Sequence, residues 1–144
     1  MTDGVERSDG TLARYKRPLL YVMGPLYVVA GVLHFLVPET YAGVVPPAFP
    51  EPIALAYLSG LAEIALGLGV LVPRTRRLSA WGLVALLLAI FPANVYMATS
   101  DVVVGQVTGS TRVLASLAVW ARLPLQAVLV LWAWWYTRPV EGSG

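Results

Sequence analysis

Glu63 interrupts an otherwise apolar run, "YLSGLAEIALGLGVLV" (Tyr57 to Val72). His34, Asn94, Arg122 and Gln126 interrupt three other apolar runs. A carboxylate can accept a proton or face a cation. A guanidinium can hold a carboxylate or a carbonyl oxygen through two parallel bonds. An imidazole is the side chain whose ordinary pKa lies near neutrality. Together these types suit proton transfer to an oxygen-bearing molecule and stabilisation of charge on it. His34, Glu63 and Arg122 are the candidate catalytic residues, and Asn94, Gln126, Tyr41 and Tyr96 the candidate ligand contacts.

The helical period places each group on a face. Glu63 shares one with Ala56, Gly60 and Gly67, small residues that let another helix approach closely. Arg122 shares one with Ala115, Ala118 and Gln126, and His34 one with Tyr27, Ala30 and Gly31. At the helical rise, Glu63 and Arg122 both lie about 15 Å from the outer end of their segments, while His34 and Asn94 lie about 5 Å in. Matching depth predicts a Glu63–Arg122 ion pair and one outward-opening pocket. Plainer roles also fit. The pair could be an interhelical clip, His34 could bond a backbone carbonyl, and Asn94 could join two helices.

Four segments must carry these groups: Pro18 to Val37, Pro52 to Val72, Leu78 to Met97 and Arg112 to Tyr136. Each is about 20 residues or longer, enough to cross a hydrocarbon core of about 30 Å. Of the 144 residues, 58 % are hydrophobic and 12 % charged. A soluble domain carries about 25 % charge. The expected fold is therefore all-α, a bundle of four transmembrane helices. Pro18 should sit at the start of the first helix, and Pro25, Pro92 and Pro124 should kink their helices. Residues 1–16 read as a flexible polar tail, 17–138 as one transmembrane domain and 139–144 as a disordered tail. The proline-rich connection "PETYAGVVPPAFPEP" should lie over the bundle mouth as a cap.

Arg7, Arg14, Lys16 and Arg17 precede the first segment, Arg74, Arg76 and Arg77 fill the second connection, and Arg138 follows the fourth segment. That alternation predicts both termini in the cytoplasm. Tyr15, Trp81, Trp132, Trp134 and Trp135 mark the inner boundary; Tyr41, Tyr57 and Tyr96 mark the outer one. The net charge is +2, and the basic residues cluster at segment ends, so nucleic acid is not an expected partner. The chain has no cysteine and one histidine. A thiol mechanism or a multi-histidine metal site carried by this chain alone is thereby excluded, and no metal ligands are assigned.

The stretches "GVLHFLVPETYAGVVPP", "SGLAEIALGLGVLVP", "FPANVYMA" and "RLPLQ" occur in that order from the first segment to the fourth. In them the sequence resembles the DoxX-like family of four-helix integral membrane proteins. The family's motif residues map onto His34, Pro38, Tyr41, Glu63, Pro92, Asn94, Arg122 and Gln126. Some members of that family are named as subunits of a thiosulfate:quinone oxidoreductase, and others form membrane-associated oxidoreductase complexes in bacteria. It also touches a eukaryotic branch of receptor-assembly chaperones. The absence of cysteine departs from relatives that use thiols.

The resemblance implies a multi-pass protein of a prokaryotic cell membrane, an accessory to quinone-linked redox chemistry. Quinone is the cofactor it suggests. The alternative is a non-catalytic protein that binds a lipid-like molecule or assists membrane-protein assembly. Expected partners are the bilayer, a small amphipathic ligand, and a membrane subunit or a second copy of the chain. A transporter fits less well, because no polar face continues to the inner surface.

Overall fold

The computed structural model describes residues 3–139, and among them all regular structure is helical. Five α-helices occur: α1 (Asp3–Leu36), α2 (Pro38–Ala42), α3 (Pro52–Leu71), α4 (Arg76–Thr99) and α5 (Ser110–Trp135). One 3₁₀ turn, Val104–Gln106, lies between α4 and α5. Four helices are long and apolar enough to cross a membrane, with the first span beginning at Ala13. Exposed leucines, valines and aromatics cover their outer faces. In a bilayer those faces meet acyl chains, and the intrahelical bonds satisfy the backbone.

The start of α1 differs from the sequence expectation. Helix begins at Asp3, so residues 3–16 continue α1 instead of forming a tail, and Pro18 is an interior residue. Pro18 and Pro25 deprive the Arg14 and Tyr21 carbonyls of their helical donors, yet the helix runs through both. Residues 140–144, most of the expected C-terminal tail, lie outside the described residues.

Packing runs as a row: α1 against α3, α3 against α4, and α4 against α5. The α1–α3 contact is the tightest because glycines face glycines. A Cβ on Gly31 would lie 2.5 Å from the Gly60 carbonyl oxygen, and one on Gly60 would lie 2.7 Å from that of Gly31. A turn pair deeper, a Cβ on Gly24 would lie 2.9 Å from the Gly67 oxygen, and one on Gly67 2.8 Å from that of Gly24. The two backbones therefore touch, in antiparallel register, at two points seven residues apart. Such contact supplies the dispersion that holds helices together where burial from water contributes little.

At the end that holds Lys16 and Tyr136, side chains close the row into a bundle. Leu20, Met23, Val70, Ala80, Leu83, Ala133 and Tyr136 form a common core there. The Tyr136 hydroxyl donates to the Lys16 carbonyl at 2.7 Å. Lys16 is buried, and its Nζ donates to the Pro139 carbonyl at 3.0 Å. Arg76 Nε donates to the Val70 carbonyl at 2.9 Å, placing a cation on the last turn of α3, where the helix dipole favours one.

Pro38 opens α2 and Pro52 opens α3, each at a position where a helix tolerates a missing N–H. Glu51, just before Pro52, has φ of 50°, a left-handed turn that reverses the chain into α3. Between them, α2 and the turns after it fold over the opposite mouth of the bundle, as a cap.

Candidate functional site

Beneath the cap lies a cavity of about 410 Å³. Its apolar wall comes from Val44, Val45, Phe49, Leu55, Leu86 and Ile90. Its polar groups are His34, Tyr41, Ser59, Glu63, Asn94 and Arg122, so α1, α3, α4, α5 and the cap each contribute one or more. A concave apolar site of this size with a few convergent polar groups is the form that small-molecule sites take.

His34 and Glu63 form the centre. Each is 8 % exposed. The expected Glu63–Arg122 ion pair is not present: no contact between them falls within 4.0 Å. Glu63 Oε2 instead lies 3.3 Å from His34 Nδ1. The close approach at Gly60 allows this: the His34 Cβ stands against Gly60, which precedes Glu63 by about one turn on the buried face of α3. The same Nδ1 lies 2.9 Å from the Ala30 carbonyl, which can only accept, so Nδ1 carries hydrogen and Nε2 is the ring's free acceptor. Because that hydrogen is aimed at Ala30, Glu63 Oε2 is left buried without a directed hydrogen bond. The Tyr27 hydroxyl, on the residue two turns before His34 in α1, is the other buried side-chain polar atom in this state among the described residues. A buried polar atom left unpaired is the kind of feature a bound molecule satisfies.

Tyr41 stacks on the His34 ring at 3.6 Å between centroids and 24° between planes, so the cap fixes the imidazole from above. Burial raises the Tyr41 phenol pKa; the Glu63 carboxylate adds to the rise, and Arg122 acts against it. Tyr41 therefore keeps its proton across the physiological range and remains a hydrogen-bond donor.

Asn94 sits on α4 two residues after Pro92. Its Nδ2 donates to Gln126 Oε1 at 2.5 Å, and Gln126 Nε2 donates to the Leu87 carbonyl. Gln126 is buried and does not line the cavity; it holds Asn94, which does. Pro92 removes the donor that the neighbouring Leu88 carbonyl would otherwise receive. This part of α4 thus carries unusual polarity, which the Gln126 amide crosses over to meet.

Arg122 lines the cavity but is itself exposed, and it makes no hydrogen bond or ion pair with any described residue. The buried stripe of α5 is Val119, Gln126 and Ala133, spaced by seven, and Arg122 lies at its edge. Ala118, expected beside it on an inward face, is exposed as well. A lone arginine near the middle of a membrane helix costs about 2.5–3.5 kcal/mol on insertion scales. Tyr96, a further candidate contact, does not reach the cavity wall; its carbonyl accepts the backbone N–H and the hydroxyl of Ser100. Ser59, Ala56 and Met97 line the wall and were not among the expected residues. Ala56 was legible only as a member of the Glu63 face.

Four apolar helices, a short cap and a cavity with polar groups between them define a multi-pass helical membrane protein. More specifically, the chain belongs to the family described as a domain of unknown function, DUF8561, whose model matches residues 23–137. That stretch contains every residue of the cavity wall. No curated protein and no solved structure matches the chain.

Proposed function

We propose that the protein binds a lipid-soluble molecule with an oxygen-bearing head in the capped cavity, and that its redox form of this role is that of a quinone-linked accessory subunit. One observation carries the reading. His34, Glu63, Asn94 and Arg122 come from four different helices and meet on one apolar cavity, with a Glu63 oxygen buried and unpaired. His34 Nε2 is placed to accept a hydroxyl proton. Tyr41 holds the ring, Asn94 offers an amide to a carbonyl or hydroxyl oxygen, and Arg122 offers charge. A quinone bound there would supply the two-electron chemistry. Electrons would pass to or from a partner protein, since this chain supplies no thiol.

The DoxX-like resemblance supports the same reading through the residues it maps here, all but Gln126 and Pro38 of which line the cavity. The arginines at the α3–α4 connection support an orientation with that end of the bundle in the cytoplasm, together with Lys16 and Arg138, and the cap outside. A prokaryotic cell membrane is the proposed location.

A titration with ubiquinone-1, followed by thermal unfolding in neutral detergent, tests this. A ligand at one hundred times its Kd stabilises by about 2.7 kcal/mol. The wild type should melt several degrees higher, and His34→Ala should show no shift. A wild-type melt unmoved by ubiquinone-1 and other short-chain quinones would contradict the quinone form.

A non-catalytic assembly role is a second reading, favoured by α5. Only 11 % of its most apolar window is buried, against 28–33 % for the other spans, so it has the most surface to offer another subunit. Co-purification of one stoichiometric membrane partner, with no turnover on any donor, would favour that reading over the first.

A further inference from the structure

Arg122 presents a guanidinium on the cavity wall that makes no hydrogen bond or close ion pair with a described residue, although its charge is felt at Tyr41 and Glu63. Glu63, the nearest candidate counterion by depth, is buried against His34 and lies more than 4.0 Å away. The helix that carries Arg122 is also the one packed least closely against α1 and α3. Among the described residues, no Cα of α1 or α3 comes within 8 Å of a Cα of α5. Contacts of Tyr136 and Thr137's neighbours with Lys16 join α5 to α1 only at the end far from the cap. The cap covers the cavity's outer mouth with Tyr41, Val44, Val45, Pro46 and Phe49. On the cap side of the bundle, α1 and α5 therefore flank the cavity without close backbone contact, and we take that side as the way in from the bilayer.

We propose that the cavity's ligand is a single-chain amphiphile with an anionic oxygen head, a carboxylate or a phosphate monoester, held by Arg122 with its chain along the apolar wall. This rests on the reading of the cavity as a ligand site and narrows it from oxygen heads in general to charged ones; the anionic head is held on the Arg122 side, and the unpaired Glu63 oxygen beside His34 takes no part in holding it. The guanidinium fork matches either anion through two parallel bonds. Entry between α1 and α5 admits molecules already dissolved in the bilayer, whereas a small water-soluble anion would have to pass the cap. Val44, Val45, Leu86 and Ile90 suit a hydrocarbon chain. A cavity of about 410 Å³ is large enough to take one such chain.

The test uses the full chain in nanodiscs of neutral phosphatidylcholine, titrated with laurate, dodecyl phosphate, dodecanol, acetate and inorganic phosphate. Laurate and dodecyl phosphate should bind at one site at least tenfold more tightly than dodecanol, and acetate and inorganic phosphate should not bind. Arg122→Gln should bring both amphiphilic anions to the level at which the same variant binds dodecanol. Arg122→Lys, which keeps the charge and loses the fork, should retain part of the preference. Equal affinity for laurate and dodecanol in the wild type, or a preference untouched by Arg122→Gln, would overturn the assignment while leaving the cavity reading intact. Binding of acetate or phosphate as tight as laurate would overturn the amphiphile. Failure of every probe, with ubiquinone-1 included, would overturn the cavity reading itself.

Discussion

Gly60→Ala should lower the melting temperature by about 5–10 °C and remove ligand-induced stabilisation, a larger effect than any single apolar truncation on the lipid face. The methyl group would sit 2.5 Å from His34 Cβ and 2.7 Å from the Gly31 carbonyl oxygen, and one of these is backbone. Neither α1 nor α3 can yield locally, because the Gly24–Gly67 contact clamps the same two helices further along. Overpacking of this kind costs about 1–3 kcal/mol. The helices would separate, and His34 would move with α1 away from Glu63. Gly43→Ala is the control: Gly43 has φ of −62° and an added Cβ meets only the Glu39 and Thr40 carbonyls, at 3.3 Å and 3.6 Å. Thermal unfolding of both variants in one detergent checks this. Equal melting of Gly60→Ala and wild type would remove the close α1–α3 contact from the account.

Gln126→Leu should cost about 1–3 kcal/mol, because it strands the Asn94 amide inside the bundle and takes a donor from the Leu87 carbonyl. Hydrogen bonds between membrane helices average about 0.6 kcal/mol in double-mutant cycles, so the loss of the bond alone would be small. Most of the expected cost is the buried polar group left behind. That has a consequence for the double variant. Asn94→Leu with Gln126→Leu removes both partners, and its cost should fall short of the summed single costs by about 1 kcal/mol or more. Additive costs would show that the two amides do not act as a pair.

The architecture was legible because its cause is local. Four long apolar segments require helices in a bilayer, and Pro38 and Pro52 mark where two of them start. The face of Glu63 was legible for the same reason: Ala56, Gly60, Glu63 and Gly67 are the buried residues of α3, together with Val70. The partner of Glu63 was not. Depth along a helix axis says nothing about which neighbour a side chain turns toward, and matching depth pointed to Arg122. The register that brings His34 to Glu63 is written in the glycines: Gly24 and Gly31 repeat by seven on α1, and Gly60 and Gly67 repeat by seven on α3. Pairing those two repeats in antiparallel order would have brought His34 onto the face of α3 that carries Gly60 and Glu63. On α5 the inward face was misjudged by one position. Its stripe is only one residue wide, so a rotation of one residue carries Arg122 from the interior to the rim.

The start of α1 shows a different limit. Polar composition before Tyr15 suggested a chain without structure, but polarity excludes burial and not helicity. Lys16 is the exception that tertiary structure explains, since its ammonium is buried against the carbonyls of Arg138 and Pro139.

Everything functional in the account depends on a molecule entering the space between the cap and the His34–Glu63 contact. Ala93 lies on α4 in the wall of that space, half-buried and outside the polar set. Native mass spectrometry of the wild type and of Ala93→Phe, each loaded with laurate and with ubiquinone-1, tests this most directly. The wild type should retain one bound molecule, and Ala93→Phe should retain none while melting within a few degrees of the wild type. Equal retention by both proteins would mean that these molecules sit on the lipid-facing surface and that the cavity is not their site.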